Sequence, residues 1–290
     1  MQKFVEAAMS KIFFVCACAS VIAILLICMF LVIGGLPAVV EIGPLRFLLG
    51  REWFPMNNPP SFGVLPMILG SIYITTGAVA LGVPVGIFTA AYLACMCPHK
   101  TYVVLKPIIN LLAGIPSVVY GFFGMRAIVP VIRGISQNLM GGGTGLSILA
   151  ASLLLSIMIL PTIINISESA IRAVPKEYNE GAQALGASYI RSIFFVIVPA
   201  AKSGIFASVI LGIGRAVGET MAVVMVAGNQ AIIPESILGG ARSLTANIVL
   251  EMAYAAELHR EALIATAVVL FIFIFIVNMA FRWIIRRGSR

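Results

Sequence analysis

The chain has 290 residues, of which 61% are hydrophobic and 10% are charged, and its mean hydropathy is +1.08. Soluble domains carry about 25% charged residues, so this composition excludes a soluble globular protein and predicts an integral membrane protein in contact with lipid. The net charge of +8 does not indicate nucleic-acid binding, because the basic residues lie between the apolar runs rather than in one patch.

Six segments are apolar enough to cross a membrane, which takes about 20 residues per helix. They cover residues 11–37, 65–96, 103–131, 146–170, 203–227 and 262–285. The first segment is too long for the apolar core of a signal peptide and no clean cleavage site follows it, so we expect a retained helix. The sequence therefore predicts an all-α integral membrane protein with six transmembrane helices.

The distribution of Lys and Arg indicates the orientation, because cytoplasmic loops are enriched in these residues. If the N-terminus is cytoplasmic, most of them fall inside, including those of the C-terminal run "RRGSR". The outer loops then hold Arg46, Arg51, Arg133, Arg242 and Arg260. Both termini are therefore predicted to be cytoplasmic.

Prolines interrupt several of the predicted spans, among them Pro84, Pro116 and Pro161, and glycines lie nearby. Broken or closely packed helices are tolerated in membranes where protein or a water-filled cavity covers the freed backbone groups. Tight helix packing alone explains many of the glycines. Prolines in so many spans nevertheless favour a transporter or channel.

Polar residues within the third and fourth spans have structural and functional interpretations. Ser117 and Tyr120 follow a proline break, and they are expected either to line a path or to hydrogen-bond to neighbouring helices. Glu168 and Arg172 are four residues apart near the cytoplasmic end of the fourth span, so we expect an ion pair with a structural role. Arg126 is less central and is expected to extend toward the membrane surface.

The longest cytoplasmic loop lies within residues 171–200 and has a helical pattern of its own. Pro175 suits the first position of a short helix, and Glu177 falls in its first turn, where the helix dipole favours a negative charge. Gly186 can end this helix in the left-handed conformation, and Ser188 can cap a second short helix. One face of the first helix carries Tyr178, Ala182 and Leu185. The resulting elbow is expected either to be gripped by another protein or to lie as an amphipathic loop at the interface.

The fifth span carries two charges in the apolar stretch "GRAVGETMAVVMVAG" at 214–228. At helical pitch, Arg215 and Glu219 stand one turn apart on one face. One interpretation is a self-neutralising pair that locks the span to its neighbours. The other is that Arg215 meets an anion, because a guanidinium offers several donors in a planar fork suited to tetrahedral oxyanions. Glu219 would then hold Arg215 in place.

This chain contains few residues that could form a catalytic or metal-binding site. It contains no Gly-Lys dipeptide, which excludes the G-x-x-x-x-G-K-[ST] loop of an ATPase. It contains no Asp, and both His99 and His259 are predicted in loops. Cys95 and Cys97 lack a second pair of ligands, so they are interpreted as packing residues. We expect no enzyme activity, no metal site and no bound cofactor.

The cytoplasmic elbow resembles a motif of ABC importer permeases. The run "EGA" at 180–182, Gly186, and the "VIVP" that ends at Pro199 are similar to the pattern E-A-A–x3–G–x9–I-x-L-P of that family. The departures are a Gly at the second position and two valines in the last motif, all of which keep size or hydrophobicity. In that family the loop docks on a cytoplasmic ATPase subunit.

Further stretches narrow the resemblance to the permeases of phosphate ABC importers of the PstC type. The stretches are "EWFP" at 52–55, "FGVLPMILGSIYIT" at 62–75, "LLAGIPSVVYGFFG" at 111–124, "IMILPTIINISESAIRAVP" at 157–175 and "GRAVGETMAVVMVAGN" at 214–229. Sulfate and molybdate permeases share the elbow but lack this combination of stretches.

The resemblance implies a type I ABC importer permease fold, with an N-terminal helix and outer loop at 1–64 and the permease domain at 65–290. The residues that it implies for coupling to the ATPase are Glu177, Tyr178, Glu180, Gly181, Ala182, Leu185, Gly186 and Pro199. The residues that it implies for the substrate path are Arg215, Glu219, Ser117 and Tyr120.

The function implied by the resemblance is import of inorganic phosphate by alternating access across the inner membrane of a prokaryote. The implied partners are a homologous second permease, two cytoplasmic ATPase subunits that use ATP and Mg, and an external phosphate-binding protein. No cofactor would be bound by this chain itself, and its surroundings would be membrane lipid. The alternatives are a permease for sulfate or molybdate, a secondary transporter, or a scaffold or sensor that transports nothing.

Overall fold

The computed structural model describes residues 2–140 and 142–288, and it is mostly helical. In chain order the helices are α1 (Gln2–Ile42), α2 (Pro44–Leu49), α3 (Leu65–Ala91), α4 (His99–Gly114), α5 (Ser117–Phe123), α6 (Val129–Met140), α7 (Ile148–Arg172), α8 (Lys176–Ala184), α9 (Tyr189–Ser192), α10 (Val198–Ala200), α11 (Lys202–Gly218), α12 (Met221–Val226), α13 (Leu244–Glu251) and α14 (Glu257–Gly288). Three π-helical turns, Tyr92–Met96, Gly124–Ile128 and Ile193–Ile197, continue α3, α5 and α9. Outside the helices, β1 (Trp53–Phe54) pairs antiparallel with β2 (Ser61–Phe62).

Five helical segments of the described chain are long and apolar enough to cross a membrane by themselves: Met9–Ile42, Leu65–Met96, Ser117–Asn138, Ile148–Arg172 and Glu257–Ala280. The pair Tyr189–Ala200 and Lys202–Gly218, bent by 69°, makes a sixth span when it is counted as one. The all-α membrane fold is therefore confirmed. The predicted third and fifth spans need correction.

The third span begins later than predicted. Residues 103–114 belong to α4, which ends at Gly114, and Ile115 is extended with φ −69° and ψ 128°. The cause is Pro116, which disfavours helical backbone at the residue before it. Pro116 then sits at the N-cap of α5, so the span runs over Ser117–Asn138.

The predicted fifth span, residues 203–227, is not one continuous helix in the structure. α11 ends at Gly218, and Glu219 is extended with φ −69° and ψ 133°. The chain resumes helical geometry at Met221 as the short helix α12. A helix interrupted inside an apolar segment exposes backbone groups that need other partners, which is the arrangement found where protein or a cavity lines the break.

α7 lies at the centre of the fold and packs against α3, α11 and α12. In the most apolar stretch of α7, 67% of the residues are buried within the chain. Glycines permit this approach: a Cβ added to Gly86 would lie 2.7 Å from Ile163 Cγ2, and one added to Gly82 would lie 2.9 Å from Ile159 Cδ1. Small residues at membrane helix contacts allow such close backbone packing.

On the outer side of the molecule, α2 and the β1–β2 hairpin cover the ends of the membrane helices. Phe47, Trp53, Phe62 and Leu244 are all buried there in one apolar cluster with α14. α1 runs along α14, and a Cβ on Gly35 would lie 2.9 Å from the Ala265 backbone. The outer loop after α1 is therefore packed onto the ends of the later helices.

Candidate functional site

The cytoplasmic elbow begins with α8, one residue later than predicted. Pro175 occupies the N-cap position rather than the first helical position, and Glu177 lies in the first turn, as expected. None of the residues of α8 is buried. This helix therefore stands on the surface and is available to a partner.

The elbow turns at Gly186, as the sequence predicts. Gly186 has φ +89°, and a Cβ there would meet nothing within 4 Å, so the requirement for glycine is conformational rather than steric. The amide of Ala187 donates to the Ala182 carbonyl at 3.0 Å, and the amide of Gly186 donates to the Gln183 carbonyl at 2.9 Å. These two bonds form a Schellman motif, which satisfies the last carbonyls of α8 and fixes the turn.

Hydrogen bonds hold the two arms of the elbow together. Ser188 caps α9 by accepting from the Arg191 amide at 3.4 Å, which confirms the predicted cap. The buried Ser192 hydroxyl donates to Asn179 Oδ1 of α8 at 2.7 Å. The Tyr189 hydroxyl donates to the Cys95 carbonyl in the π-helical turn after α3. These bonds connect α8 to α9 and α9 to the end of α3.

The solvent-exposed surface of the elbow is apolar at its tip. Leu185 is 91% exposed and Tyr178 is also exposed, whereas Ala182 is partly covered. The further residues that the resemblance implies for coupling, Glu177, Glu180, Gly181, Gly186 and Pro199, are all exposed. Tyr178 and Leu185 together expose apolar surface on this elbow, and an exposed apolar patch with polar neighbours is typical of a protein-interaction site.

Arg215 lies on an exposed face of α11, one turn before the helix break. In the part of the chain that the structure describes, its guanidinium makes no hydrogen bond or ion pair. It does interact electrostatically with Tyr120 of α5. The structure thus leaves the donors of this arginine free within an apolar segment.

The predicted pairing of Glu219 with Arg215 on one helix face is wrong. Glu219 lies beyond the end of α11, and its Oε1 accepts from the amides of Thr220 at 3.1 Å and Ala222 at 3.3 Å. A carboxylate at the start of a helix satisfies free amides and is favoured by the helix dipole. Because Glu219 is extended and its carboxylate binds amides at the start of α12, it does not lie one helical turn from Arg215 on the same face. The structure therefore contradicts the hypothesis of a self-neutralising pair.

Tyr120 and Ser117 stand near the break, on α5. The Tyr120 ring is buried, and its hydroxyl donates to the Leu112 carbonyl at 2.8 Å, in the last turn of α4. Gly121 brings α5 against Met225 of α12. Ser117 begins α5 and is half-buried. Tyr120 therefore links α5 to the end of α4, and its hydroxyl is already engaged there.

A charged cluster near the cytoplasmic end of α7 was predicted only in part. Glu168 is 2% exposed, and its carboxylate accepts from Arg172 Nε at 2.8 Å, which confirms the predicted pair. It also accepts from Lys106 Nζ of α4 at 2.6 Å, and Lys106 donates to Asn165 Oδ1 at 2.7 Å. This second cation joins α4 to α7.

We expect Glu168→Gln to lower the melting temperature of the purified protein in detergent. Breaking a buried ion pair costs about 3–5 kcal/mol because it leaves an uncompensated charge. The loss here is expected at the lower end of that range, since Arg172 is 46% exposed. The exposed Glu177→Gln is the control, and equal melting temperatures for the two variants would contradict a stabilising role for the cluster.

A second charged cluster lies on the outer side and was not predicted from the sequence. The buried Glu251 at the end of α13 accepts from Arg242 Nη1 at 2.6 Å and from Trp53 Nε1 at 2.8 Å. His259 Nε2 lies 2.9 Å from the same carboxylate. His259 was predicted in a loop, as was His99, but they lie in the first turns of α14 and α4. Each first turn is polar, because Lys100 and Thr101 follow His99 and Arg260 and Glu261 follow His259, so hydropathy places the start of each helix too late.

Comparison with known proteins agrees with this architecture. The family model described as "binding-protein-dependent transport system inner membrane component" matches residues 82–290. The probable ABC transporter permease protein YqgH of Bacillus subtilis is 38% identical over 94% of this chain and 88% of its own length. The phosphate transport system permease protein PstC of Mesorhizobium japonicum is 31% identical over 83% of this chain and 78% of its own length.

A solved structure of the MetNI methionine ABC transporter in inward-facing conformations has a chain with the same fold. The TM-score is 0.61 at 19% identity, over 78% of this chain and 96% of that chain. The spans, the elbow and the family match point to one conclusion. The chain belongs to the family of binding-protein-dependent transport system inner membrane components, and it is the permease component of an ABC importer.

Proposed function

We propose that this permease carries inorganic phosphate into the cytoplasm and that Arg215 contacts the anion on its way. The observation that carries the proposal is the free guanidinium of Arg215 beside the broken fifth span. Several relatives, among them the PstC proteins of Mesorhizobium japonicum and Haemophilus influenzae, are named as phosphate transport permeases, which supports the same substrate.

The chemistry of the break suits an oxyanion. A charged side chain at mid-membrane costs about 2.5–3.5 kcal/mol on insertion scales and normally faces a bundle interior or a water-filled cavity. An unpaired guanidinium in such a place offers parallel N–H donors to a tetrahedral anion. Glu219 does not neutralise Arg215 but caps α12. The guanidinium of Arg215 is thus left available to the substrate.

The driving force enters through the elbow. Two ATPase subunits, which bind ATP and Mg themselves, close on ATP and push on the exposed surface of α8 around Leu185. The hydrogen bonds of Asn179 and Tyr189 pass this movement to the membrane helices. The path opens outward to accept phosphate from an external phosphate-binding protein, and hydrolysis resets the inward-facing state. A homologous second permease forms the other half of the path.

We expect Leu185→Ala to weaken ATPase binding to the complex. Burying a leucine side chain is worth about 2 kcal/mol, which corresponds to roughly thirtyfold in affinity. Titration of the purified ATPase subunit onto the permease in detergent measures the change. Val249→Ala truncates an exposed aliphatic side chain on the outer side, away from the elbow, and is the control. Equal affinities of the two variants for the ATPase subunit would show that Leu185 does not contribute to the interface.

The alternatives from the sequence differ in substrate or in activity. A sulfate or molybdate permease would share the fold and the elbow, and a scaffold or sensor would share the docking surface. Uptake of labelled phosphate and labelled sulfate into cells with and without the gene separates them. We expect loss of phosphate uptake alone. Loss of sulfate uptake would overturn the substrate, and no change in either would favour a scaffold or sensor.

A further inference from the structure

The short helix α13 is anchored at both ends to parts of the molecule that transport must coordinate. At its C-terminal end, Glu251 binds Trp53 of the outer hairpin and Arg242 of the preceding loop. The indole of Trp53 also packs edge-on against Phe62 of the hairpin, with ring centroids 5.6 Å apart. The carboxylate therefore fastens the outer loop to α13.

The N-terminal end of α13 is fastened to the break in the fifth span. The Thr245 hydroxyl donates to the Glu219 carbonyl at 3.0 Å. The Leu244 amide donates to the hydroxyl of Ser71 in α3 at 2.9 Å, and Ser243 caps the helix. The Glu219 carbonyl lies just beyond the end of α11, where it has no helical amide to accept from. Thr245 thus supplies a partner to the backbone at the break itself.

The two anchors are joined by a rigid connection. Thr245 and Glu251 are separated by about 9 Å along the helix axis, at a rise of about 1.5 Å per residue. Leu244, Thr245, Ala246, Asn247 and Glu251 are all buried. A packed helix shifts as a unit rather than bending, because close-packed interiors do not deform continuously.

We propose that Thr245 and Glu251 are positioning residues that transmit the state of the outer hairpin to the helix break beside Arg215. A binding protein that docks on the outer loop would shift Trp53, and α13 would carry the shift to the Glu219 carbonyl. The inference rests on the proposed function, because it assigns a route between the outer face and the substrate path. Such a route couples two separate sites, and it is therefore tested by measuring the coupling between them.

The experiment uses the complete importer complex in nanodiscs and measures ATP hydrolysis with and without its binding protein loaded with phosphate. We expect Thr245→Val to assemble and to keep its basal hydrolysis while losing most of the stimulation by the loaded binding protein. Thr245→Ser, which retains the hydroxyl, should restore the stimulation. Trp53→Phe, which removes the indole N–H donor at the other anchor while keeping an aromatic ring, should reproduce the loss.

Thr266→Val is the matched control. Thr266 is also buried, but its hydroxyl donates to the Ala262 carbonyl within its own helix and joins no separate segments. Equal stimulation of the Thr245 and Thr266 variants would overturn the proposal, and so would a parallel loss of basal and stimulated hydrolysis in Thr245→Val. A wild-type complex stimulated only by its binding protein loaded with sulfate would overturn the phosphate assignment alone, and the same comparison of variants would then be made with sulfate.

Discussion

Arg215→Ala is expected to abolish phosphate uptake while the importer complex still assembles. The guanidinium makes no hydrogen bond or ion pair with the other described residues, so its removal leaves no buried partner unsatisfied and costs little stability. Under the proposed function, the variant loses the charge that meets the anion, where a charge-assisted contact is strong. Uptake of labelled phosphate into cells, together with co-purification of the complex, measures both effects.

The control for this variant is Arg126→Ala. Arg126 is also an exposed arginine within a predicted span, in the π-helical turn Gly124–Ile128. We expect that variant to retain most of the uptake. If Arg215→Ala instead prevented assembly, the residue would be a structural pin. If both variants lost uptake equally, the effect would belong to any loss of charge from a span and not to Arg215.

Gly186→Glu is expected to uncouple ATP hydrolysis from transport. Gly186 turns the elbow at φ +89°, where a residue with a side chain costs about 1–2 kcal/mol. A strain of that size shifts a conformational equilibrium by roughly tenfold, and the new carboxylate adds a charge beside the exposed Leu185. Hydrolysis should continue while the phosphate moved per ATP falls. The ratio of uptake to hydrolysis in proteoliposomes is the measurement.

A pair of alanine variants separates strain from charge at the elbow. Gly186→Ala introduces the strain alone. Gly181→Ala adds the same methyl group in the middle of α8, where it would meet nothing within 4 Å and where alanine is favoured over glycine by about 1 kcal/mol. We expect reduced coupling in the first and normal coupling in the second. Normal coupling in Gly186→Ala would show that the left-handed turn is not required.

The elbow could be predicted from the sequence because its determinants are local. Gly186 and Ser188 act through their own backbone conformation or through amides three residues away, so a short window contains the whole signal. The first, second, fourth and sixth predicted spans were recoverable for a similar reason, since hydropathy needs no partner.

The break at Glu219 could not be predicted because two local patterns compete for the same residue. Arg215 and Glu219 are spaced for an i,i+4 pair, but the same Glu is also placed to cap the next helix. The extended Glu219 backbone is stabilised by Thr245, whose contribution comes from another segment. Tertiary context therefore decided between two patterns that the sequence left equal.

The charged clusters were hidden by their separation along the chain. Trp53 and Glu251 are 198 residues apart, and Lys106 and Glu168 are 62 residues apart. No periodicity links such positions in one sequence. The available signal was the presence of isolated Glu residues among apolar ones, which must be paired when they are buried.

The role of Arg215 in phosphate import is tested by ATP-driven accumulation of labelled phosphate in proteoliposomes that contain the complete importer and its binding protein. We expect the wild type to accumulate phosphate without inhibition by excess sulfate, and Arg215→Ala to accumulate none in a complex of normal composition. Accumulation of sulfate in place of phosphate, or undiminished phosphate accumulation by the Arg215 variant, would contradict this expectation.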